Sequence, residues 1–349
     1  MKNKILLYGA TGYTGRLIIE ELLKRNIKPI LGGRNTEQLN LLSKKYALEN
    51  VVFELNDTHR IKSALQPCKA VIHAAGPFIH TYKNMLQACL ESGTHYLDIT
   101  GEYQVFEACT AKNIEAKNAN VMVMPGVGFD VVPSDCLANH LHSWMPDATS
   151  LYLAFAALKG GFSRGTAKTM VENLGNGVMR RKDGNLTEER PGYEVREINF
   201  GPFTATAAAI SWGDISTAYF STKIPNITVY MAMPKPLIQQ MKRSHYFNWF
   251  FRLPWIKSFL KKLIDKRKPG PDEQQRNTGK SYFWGCVENE KKERKELRLE
   301  TPEGYRLTAI TSALIADKVL HDQIAIGYQT PASAYGKNLI LEVENCKFF

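Results

Sequence analysis

The stretch Ile5-Leu6-Leu7-Tyr8-Gly9-Ala10-Thr11-Gly12-Tyr13-Thr14-Gly15 decides the fold of the first half of this chain. A short apolar run ending at a glycine loop reads as a buried parallel strand. Directly after the loop, Leu17, Ile18, Leu22 and Leu23 recur at helical spacing among Arg16, Glu20, Glu21 and Lys24. Strand, glycine turn and helix in that order form the setting in which spaced glycines bind phosphate. Gly9 permits the tight turn, Gly12 lets a pyrophosphate approach the backbone, and Gly15 lets the helix pack close to the strand. Amides at the helix N-terminus receive the anion, which adds Thr11, Tyr13 and Thr14 to the candidate cofactor contacts.

A second strand, over 28–33, ends at Arg34. That position lies about 20 residues past the loop, where an acidic residue would hold the ribose hydroxyl of NAD. A guanidinium there suits the extra 2′-phosphate of NADP, so NADP is the expected cofactor. The plainer alternative is a surface arginine that starts the next helix. A helix over 37–46 leads to a strand over 51–55, and Asn56 and Asp57 at its end are candidate contacts for the adenine edge. A helix over 61–65 and a strand over 70–73 follow. Past that strand, the small residues Ala75, Gly76 and Pro77 suit a backbone lying against a cofactor. Then come a helix over 84–92, a strand over 95–99, a helix over 105–117 and a strand over 121–124. Six strands alternating with helices predict an α/β fold with a Rossmann-type doubly wound parallel sheet, its ligand at the strand C-termini.

The length of 349 residues suits two domains. The reading divides the chain into a nucleotide-binding domain over 1–148, an α+β substrate domain over 149–300, and a segment 301–349 returning to the first domain. With 44% hydrophobic and 23% charged residues the chain should bury an ordinary globular core. No apolar run reaches the ~18 residues of a membrane span, and the apolar N-terminal stretch is too short for a signal-peptide core. The six cysteines lack metal or redox spacing and read as free thiols of a cytoplasmic protein. In the second half, strands are expected over 151–158, 203–211 and 227–233, and a helix over 167–174 follows a glycine-rich turn over 160–166. Ser163, Arg164 and Thr166 could meet a phosphate or substrate, or simply cap that helix. A late helix is expected over 309–320.

The net charge of +11 calls for a partner. Its densest stretch, 242–268, interleaves nine lysines and arginines with seven aromatic residues and carries only Asp265 as an acid. Three readings stay open. The stretch packs on its own domain or on a second subunit as a homodimer contact; it lies at the inner face of an anionic membrane; or it meets nucleic acid. No nucleic-acid motif accompanies it, so no nucleic-acid partner is expected. The run 288–298 mixes both signs and reads as a solvated face.

Several segments resemble the saccharopine dehydrogenase-like family of NADP-binding proteins. They are the glycine loop 9–15, Gly32-Gly33-Arg34-Asn35, Ala75-Gly76-Pro77-Phe78, the run His95 to Glu102 (HYLDITGE), the run Gly128 to Asp135 (GFDVVPSD), and late segments at 301–305 and 327–334. The loop is shared by several reductase families, whereas HYLDITGE and GFDVVPSD are far more specific. The most similar branch includes uncharacterised saccharopine dehydrogenase-like oxidoreductases and the trans-acting enoyl reductases of complex-lipid synthesis. The resemblance implies that the segments around 98–102 and 128–135 flank nicotinamide and substrate. The second half shows no counterpart of an arginine clamp for a dicarboxylic amino acid, which argues against saccharopine itself.

Hydride transfer also needs a proton source. Asp98, Glu102, Asp130 and Asp135 follow strand ends on the ligand side, and Asp130, Asp98 and Glu102 are the catalytic candidates. Asp130 and Asp135 could instead shape a turn and cap a helix. Tyr96 and His95 are weaker candidates, because strand alternation should bury one of them. A short-chain dehydrogenase would carry a Tyr-x-x-x-Lys pair on a helix, and no such pair is expected in this chain. Cys136 reads as core rather than nucleophile. His140 and His142, two apart on a helix, make a poor metal pair, and no metal is expected. The leading expectation is an NADP(H)-dependent oxidoreductase reducing a C=C, C=N or C=O group of an apolar or lipid-linked small molecule held between two domains. The alternatives are a non-catalytic NADP-binding scaffold at a membrane surface, or a saccharopine- or imine-type amino-acid dehydrogenase.

Overall fold

A computed structural model describes residues 2–158, 161–244 and 248–349. The chain divides into two compact units. The first comprises Met1–Val132 and Tyr305–Tyr335, the second Pro133–Gly304 and Gly336–Phe349.

In the first unit the apolar run at the start of the chain forms the strand Lys4–Tyr8, whose Ile5, Leu6 and Leu7 are fully buried. Both faces are covered, as a parallel sheet requires. Seven parallel strands lie in the order Gly327–Tyr328, Met122–Met124, His95–Asp98, Cys68–His73, Lys4–Tyr8, Ile30–Gly33 and Asn50–Val52. The chain leaves Lys4–Tyr8 toward one edge, then crosses back to Cys68–His73 on its other side. That reversal opens a crevice past the carboxyl ends of these two strands, the usual ligand position in such sheets.

Three expectations change here. The sheet has seven strands rather than six, because Gly327–Tyr328 pairs with Met122 and Val123 at the edge. The helix expected over 105–117 is two, Tyr103–Ala111 and Asn113–Asn118. At that break the Asn113 side chain accepts the Tyr328 amide at 2.9 Å. Finally, both His95 and Tyr96 are buried, since neither face of this strand meets solvent. The helix Gly304–Leu320 also belongs to this unit. The Lys69 ammonium meets its last carbonyl, that of Leu320, at 3.0 Å and pairs with Asp322, the cation a helix C-terminus favours.

The second unit is built on a mixed sheet of nine strands. Its main path runs Val195–Asn199, Thr204–Ile210, Asn226–Ala232, Ser150–Leu158, Lys280–Glu288, Arg294–Pro302 and Lys347–Phe348. A hairpin, Val178–Lys182 with Asn185–Glu189, attaches to Asn226–Ala232. Asn226–Ala232 and Ser150–Leu158 run parallel, and the other pairs are antiparallel. The run 288–298, expected as a solvated face, is largely the turn and second arm of a hairpin. Its Leu297 is buried, and the buried Glu288 carboxylate pairs with Lys292 and Arg294. The basic-aromatic stretch falls on the helices Lys235–Ser244, Asn248–Phe251 and Pro254–Asp265. Tyr246, Phe247 and Gly160 lie outside the described residues. All six cysteines are free thiols, and five are buried. Among the described residues no helix is long and apolar enough to cross a membrane.

Candidate functional site

The cradle begins where Lys4–Tyr8 stops. Gly9 turns with φ of 89°, the left-handed region that glycine enters without strain. Its amide and that of Ala10 donate to the Gly32 carbonyl at 2.9 and 3.2 Å, tying the loop to the neighbouring strand. A Cβ at position 9 would stand 2.7 Å from the Ala74 carbonyl carbon, and one at position 15 would stand 2.3 Å from the Gly9 oxygen. Backbone against backbone therefore requires glycine at both places. Gly12 is the N-cap of the helix Tyr13–Lys24 and provides no side-chain cap. A bound anion can meet the amides of that first turn, Thr14 and Gly15 among them, at the positive end of the helix dipole. The Thr11 carbonyl accepts from Arg16 Nε at 3.2 Å, and the Tyr13 ring packs edge-on against Tyr305. The loop fits a dinucleotide pyrophosphate.

Around this cradle the remaining candidates separate by role. Arg34 follows the strand Ile30–Gly33 directly; it is exposed and makes no ion pair among the described residues. Its neighbour Asn35 caps the helix Thr36–Tyr46. Asn56 is exposed, while the Asp57 carboxylate caps the helix Thr58–Leu65 through the Arg60 amide at 3.0 Å. Ala75, Gly76 and Pro77 follow the strand Cys68–His73, with a cis bond between Gly76 and Pro77.

Glu102 was expected as a proton donor. Its buried carboxylate accepts the amides of Phe78 and Ile79 at 2.8 and 2.9 Å, one on each oxygen. It thereby holds the segment that follows Pro77. His73 was missed at the sequence level. It is fully buried, and burial lowers its pKa to about 3, so the imidazole is neutral. The Thr81 hydroxyl donates to the Ala75 carbonyl at 2.7 Å, so His73 Nε2 carries the hydrogen and donates to Thr81 Oγ1 at 3.1 Å. Only its position at a strand end could have signalled this link to the Ala75 loop.

Asp98 sits at the end of His95–Asp98 and is wholly buried. One oxygen accepts the amides of Thr100 and Gly126, each at 2.9 Å, and the other accepts the Tyr96 hydroxyl at 2.7 Å. Burial raises its pKa to about 6 against the pull of these donors. The residue ties two loops at the ligand end of the sheet. Asp98→Ala would leave a buried hydroxyl and two buried amides unsatisfied, each worth about 1–3 kcal/mol, partly offset by relief of the buried charge. A net loss of about 3 kcal/mol is expected, a fall in Tm of roughly 6–12 °C. Thermal unfolding followed by circular dichroism measures it, and a change under about 2 °C would refute the tying role.

Asp130 is different. Its side chain keeps some exposure, yet enough protein surrounds it that desolvation, followed by the charge of Glu102, raises its pKa to about 7. A Cβ at Gly101 would come within 2.4 Å of its Oδ2, so Gly101 leaves the room this carboxyl occupies. The structure thus gathers Asp130, Glu102 and Asp98 near one another, and the partly exposed Asp130 has a pKa of about 7. A carboxyl of that pKa can give up or accept a proton at physiological pH. Asp135 belongs to the second unit, where it accepts from Ser221 at 2.7 Å and Asn139 at 3.2 Å. Ser163 caps the helix Arg164–Asn173 through the Thr166 amide, and Arg164 Nε donates to the Arg267 carbonyl at 2.7 Å.

One Tyr-x-x-x-Lys spacing does occur in the second unit, at Tyr219 and Lys223. It is no reductase dyad. Lys223 lies past the helix Asp214–Thr222 in left-handed conformation, with its ammonium over Phe220, and the Tyr219 ring lies under the Arg181 guanidinium. Among the described residues no three His, Cys, Asp or Glu side chains gather as a metal site.

A parallel sheet, a glycine cradle at its switch point and an uncapped helix N-terminus define a nicotinamide-dinucleotide-binding protein of the Rossmann class, and residues 9–121 match the NAD(P)H-binding family model. The mouse saccharopine dehydrogenase-like oxidoreductase is 22% identical, aligned over 97% of this chain and 94% of its own. Its human namesake is 23% identical over 54% of this chain and 49% of its own length. A trans-acting enoyl reductase of Mycobacterium tuberculosis is 30% identical over 49% of this chain and 44% of its own. Against these last two, the chain aligns with about half of the relative's length. The Saccharomyces cerevisiae saccharopine dehydrogenase structure shares the fold, with a TM-score of 0.66, 12% identity, and coverage of 99% of this chain and 100% of that one. These likenesses support an NAD(P)-binding oxidoreductase of the saccharopine dehydrogenase-like kind.

Proposed function

We propose that this protein is an NADPH-dependent reductase acting on a C=C, C=N or C=O group of a small molecule. The observation that carries the cofactor choice is Arg34, exposed and without an ion pair among the described residues at the end of the second strand. A guanidinium there favours a 2′-phosphate, and no carboxylate occupies the position to favour a bare ribose. When bound, NADPH supplies a hydride for an electrophilic carbon. Gly9, Gly12 and Gly15 admit the pyrophosphate to the backbone, and Ala75 to Pro77, held through Glu102, lie past the neighbouring strand. Asp130 gives the proton to the atom that takes up the electron pair, and its pKa of about 7 suits that transfer. The name of the mycobacterial relative, an enoyl reductase, supports a C=C bond conjugated to an acyl carbonyl as the reduced group.

Calorimetric titration with NADPH and NADH, repeated on Arg34→Asp, tests the cofactor assignment. Loss of a charge-assisted contact of about 1.5–3 kcal/mol should weaken NADPH by roughly 10–100-fold and leave NADH nearly unchanged. Equal affinity of the wild type for both would remove the NADP preference. Transfer of deuterium from labelled NADPH to a panel of enoyl, imine and carbonyl acceptors tests the reaction. Binding without transfer to any of them would favour the scaffold reading.

A further inference from the structure

The helix Pro254–Asp265 carries two apolar stripes. Ile256, Leu260 and Ile264 recur every fourth residue, and Leu260 and Ile264 pack with Ala167, Val171 and Leu174 in a small core. One position away around the helix, Trp255, Phe259 and Leu263 repeat the same spacing and are 64, 58 and 45% exposed. The preceding turn, Asn248–Phe251, adds Trp249 and Phe250, also exposed. The Trp249, Phe250 and Trp255 rings meet edge-on at 5.9 and 6.2 Å. A patch of this kind on a soluble unit marks an interaction surface.

The charges around it decide the partner. Lys257 and Lys261 turn back to Glu172, and Asp265 is neutralised by Lys168. Lys262, Lys266, Arg267 and Lys268 are exposed and make no ion pair among the described residues. Aromatic rings beside unneutralised cations complement a surface with an apolar interior and an anionic rim, which is a bilayer of acidic phospholipid. A second copy of the chain would bring the same cations against one another across a two-fold interface.

We propose that the helices Asn248–Phe251 and Pro254–Asp265 dock this protein on an anionic bilayer. Trp249, Trp255, Phe259 and Leu263 enter the boundary between headgroups and acyl chains, and the lysines at 262, 266 and 268 meet lipid phosphates. The docking goes beyond the reductase reading and does not depend on it.

The experiment is co-sedimentation of the full chain with vesicles containing phosphatidylglycerol or phosphatidylcholine alone, at low salt and at about 0.5 M NaCl, where screening shortens to a few ångströms. Wild type should pellet with phosphatidylglycerol vesicles and bind pure phosphatidylcholine at least about 10-fold less. The triple variant Trp255→Ser, Phe259→Ser, Leu263→Ser should lose about 10-fold or more in partitioning, as should Lys262→Glu with Lys266→Glu and Lys268→Glu. All six positions are exposed, so unchanged circular dichroism and Tm are expected, and a variant failing that check is replaced by single substitutions. Wild type remaining in the supernatant at low salt overturns the proposal. So does undiminished binding by the aromatic variant, which would leave only diffuse charge attraction. A wild-type dimer that this variant dissociates, without vesicle binding, would assign the patch to a second copy instead.

Discussion

Gly15→Ala is expected to weaken NADPH binding by at least about 100-fold, the loss that follows when two or more charge-assisted phosphate contacts of about 1.5–3 kcal/mol go. The added methyl would stand 2.3 Å from the Gly9 oxygen and 3.0 Å from the Ala10 Cα. Both are backbone atoms of a loop held by the Gly32 carbonyl, so no side chain can move aside. The helix Tyr13–Lys24 must shift, and its first-turn amides lose their aim at the pyrophosphate. Overpacking of this kind also costs about 1–3 kcal/mol of stability. Titration calorimetry together with thermal unfolding separates the two effects. Affinity within about threefold of wild type would mean that the helix does not deliver the phosphate contacts.

The second large effect is expected at Asp130. Asp130→Asn should lower hydride transfer to any acceptor the wild type reduces by about 10²–10⁴-fold, the span of general acid catalysis. The Kd for NADPH should move less than about threefold. Wild-type transfer should fall as pH rises through about 7, where the donor loses its proton, and the variant should lack that limb. Stability should move the other way. A carboxyl whose pKa is raised by folding binds its proton more tightly in the folded state, so stability falls as pH rises from about 4 to about 7. Asparagine cannot ionise; the variant should be more stable than wild type by about 1–3 kcal/mol at pH 8 and show a flatter dependence below pH 7. Asp98 carries the same sign with its pKa near 6, so some slope persists between about pH 4 and 6. Loss of activity together with loss of stability would make Asp130 a structural residue. That outcome would leave the reductase without its proposed proton donor.

The sequence by itself determined the nucleotide half. The run from Ile5 to Gly15 settles strand, turn and helix, because apolar periodicity and glycine conformation act over a few neighbouring residues. The place of Arg34 at the end of the second strand was legible for the same reason. The family segments around 95–102 and 128–135 were visible as motifs, but the work of their residues was not. Asp98 and Glu102 look alike in a list of acids, yet Asp98 also holds Gly126, 28 residues away, and Glu102 holds Phe78 and Ile79, 24 and 23 residues away. Only the packed sheet brings those amides to them and turns two candidate acids into ties. The edge strand Gly327–Tyr328, two residues long, exists because Met122 and Val123 offer it a partner more than 200 residues earlier in the chain. Tertiary burial also decided the chemistry of Asp130, since desolvation depends on what surrounds a carboxyl and not on its neighbours in sequence. On the helix Pro254–Asp265 the sequence could show two apolar stripes. It was the fold that buried Ile256 and Ile264, with Leu260 and Ile264 packed on Ala167, Val171 and Leu174, and left Trp255 and Phe259 exposed.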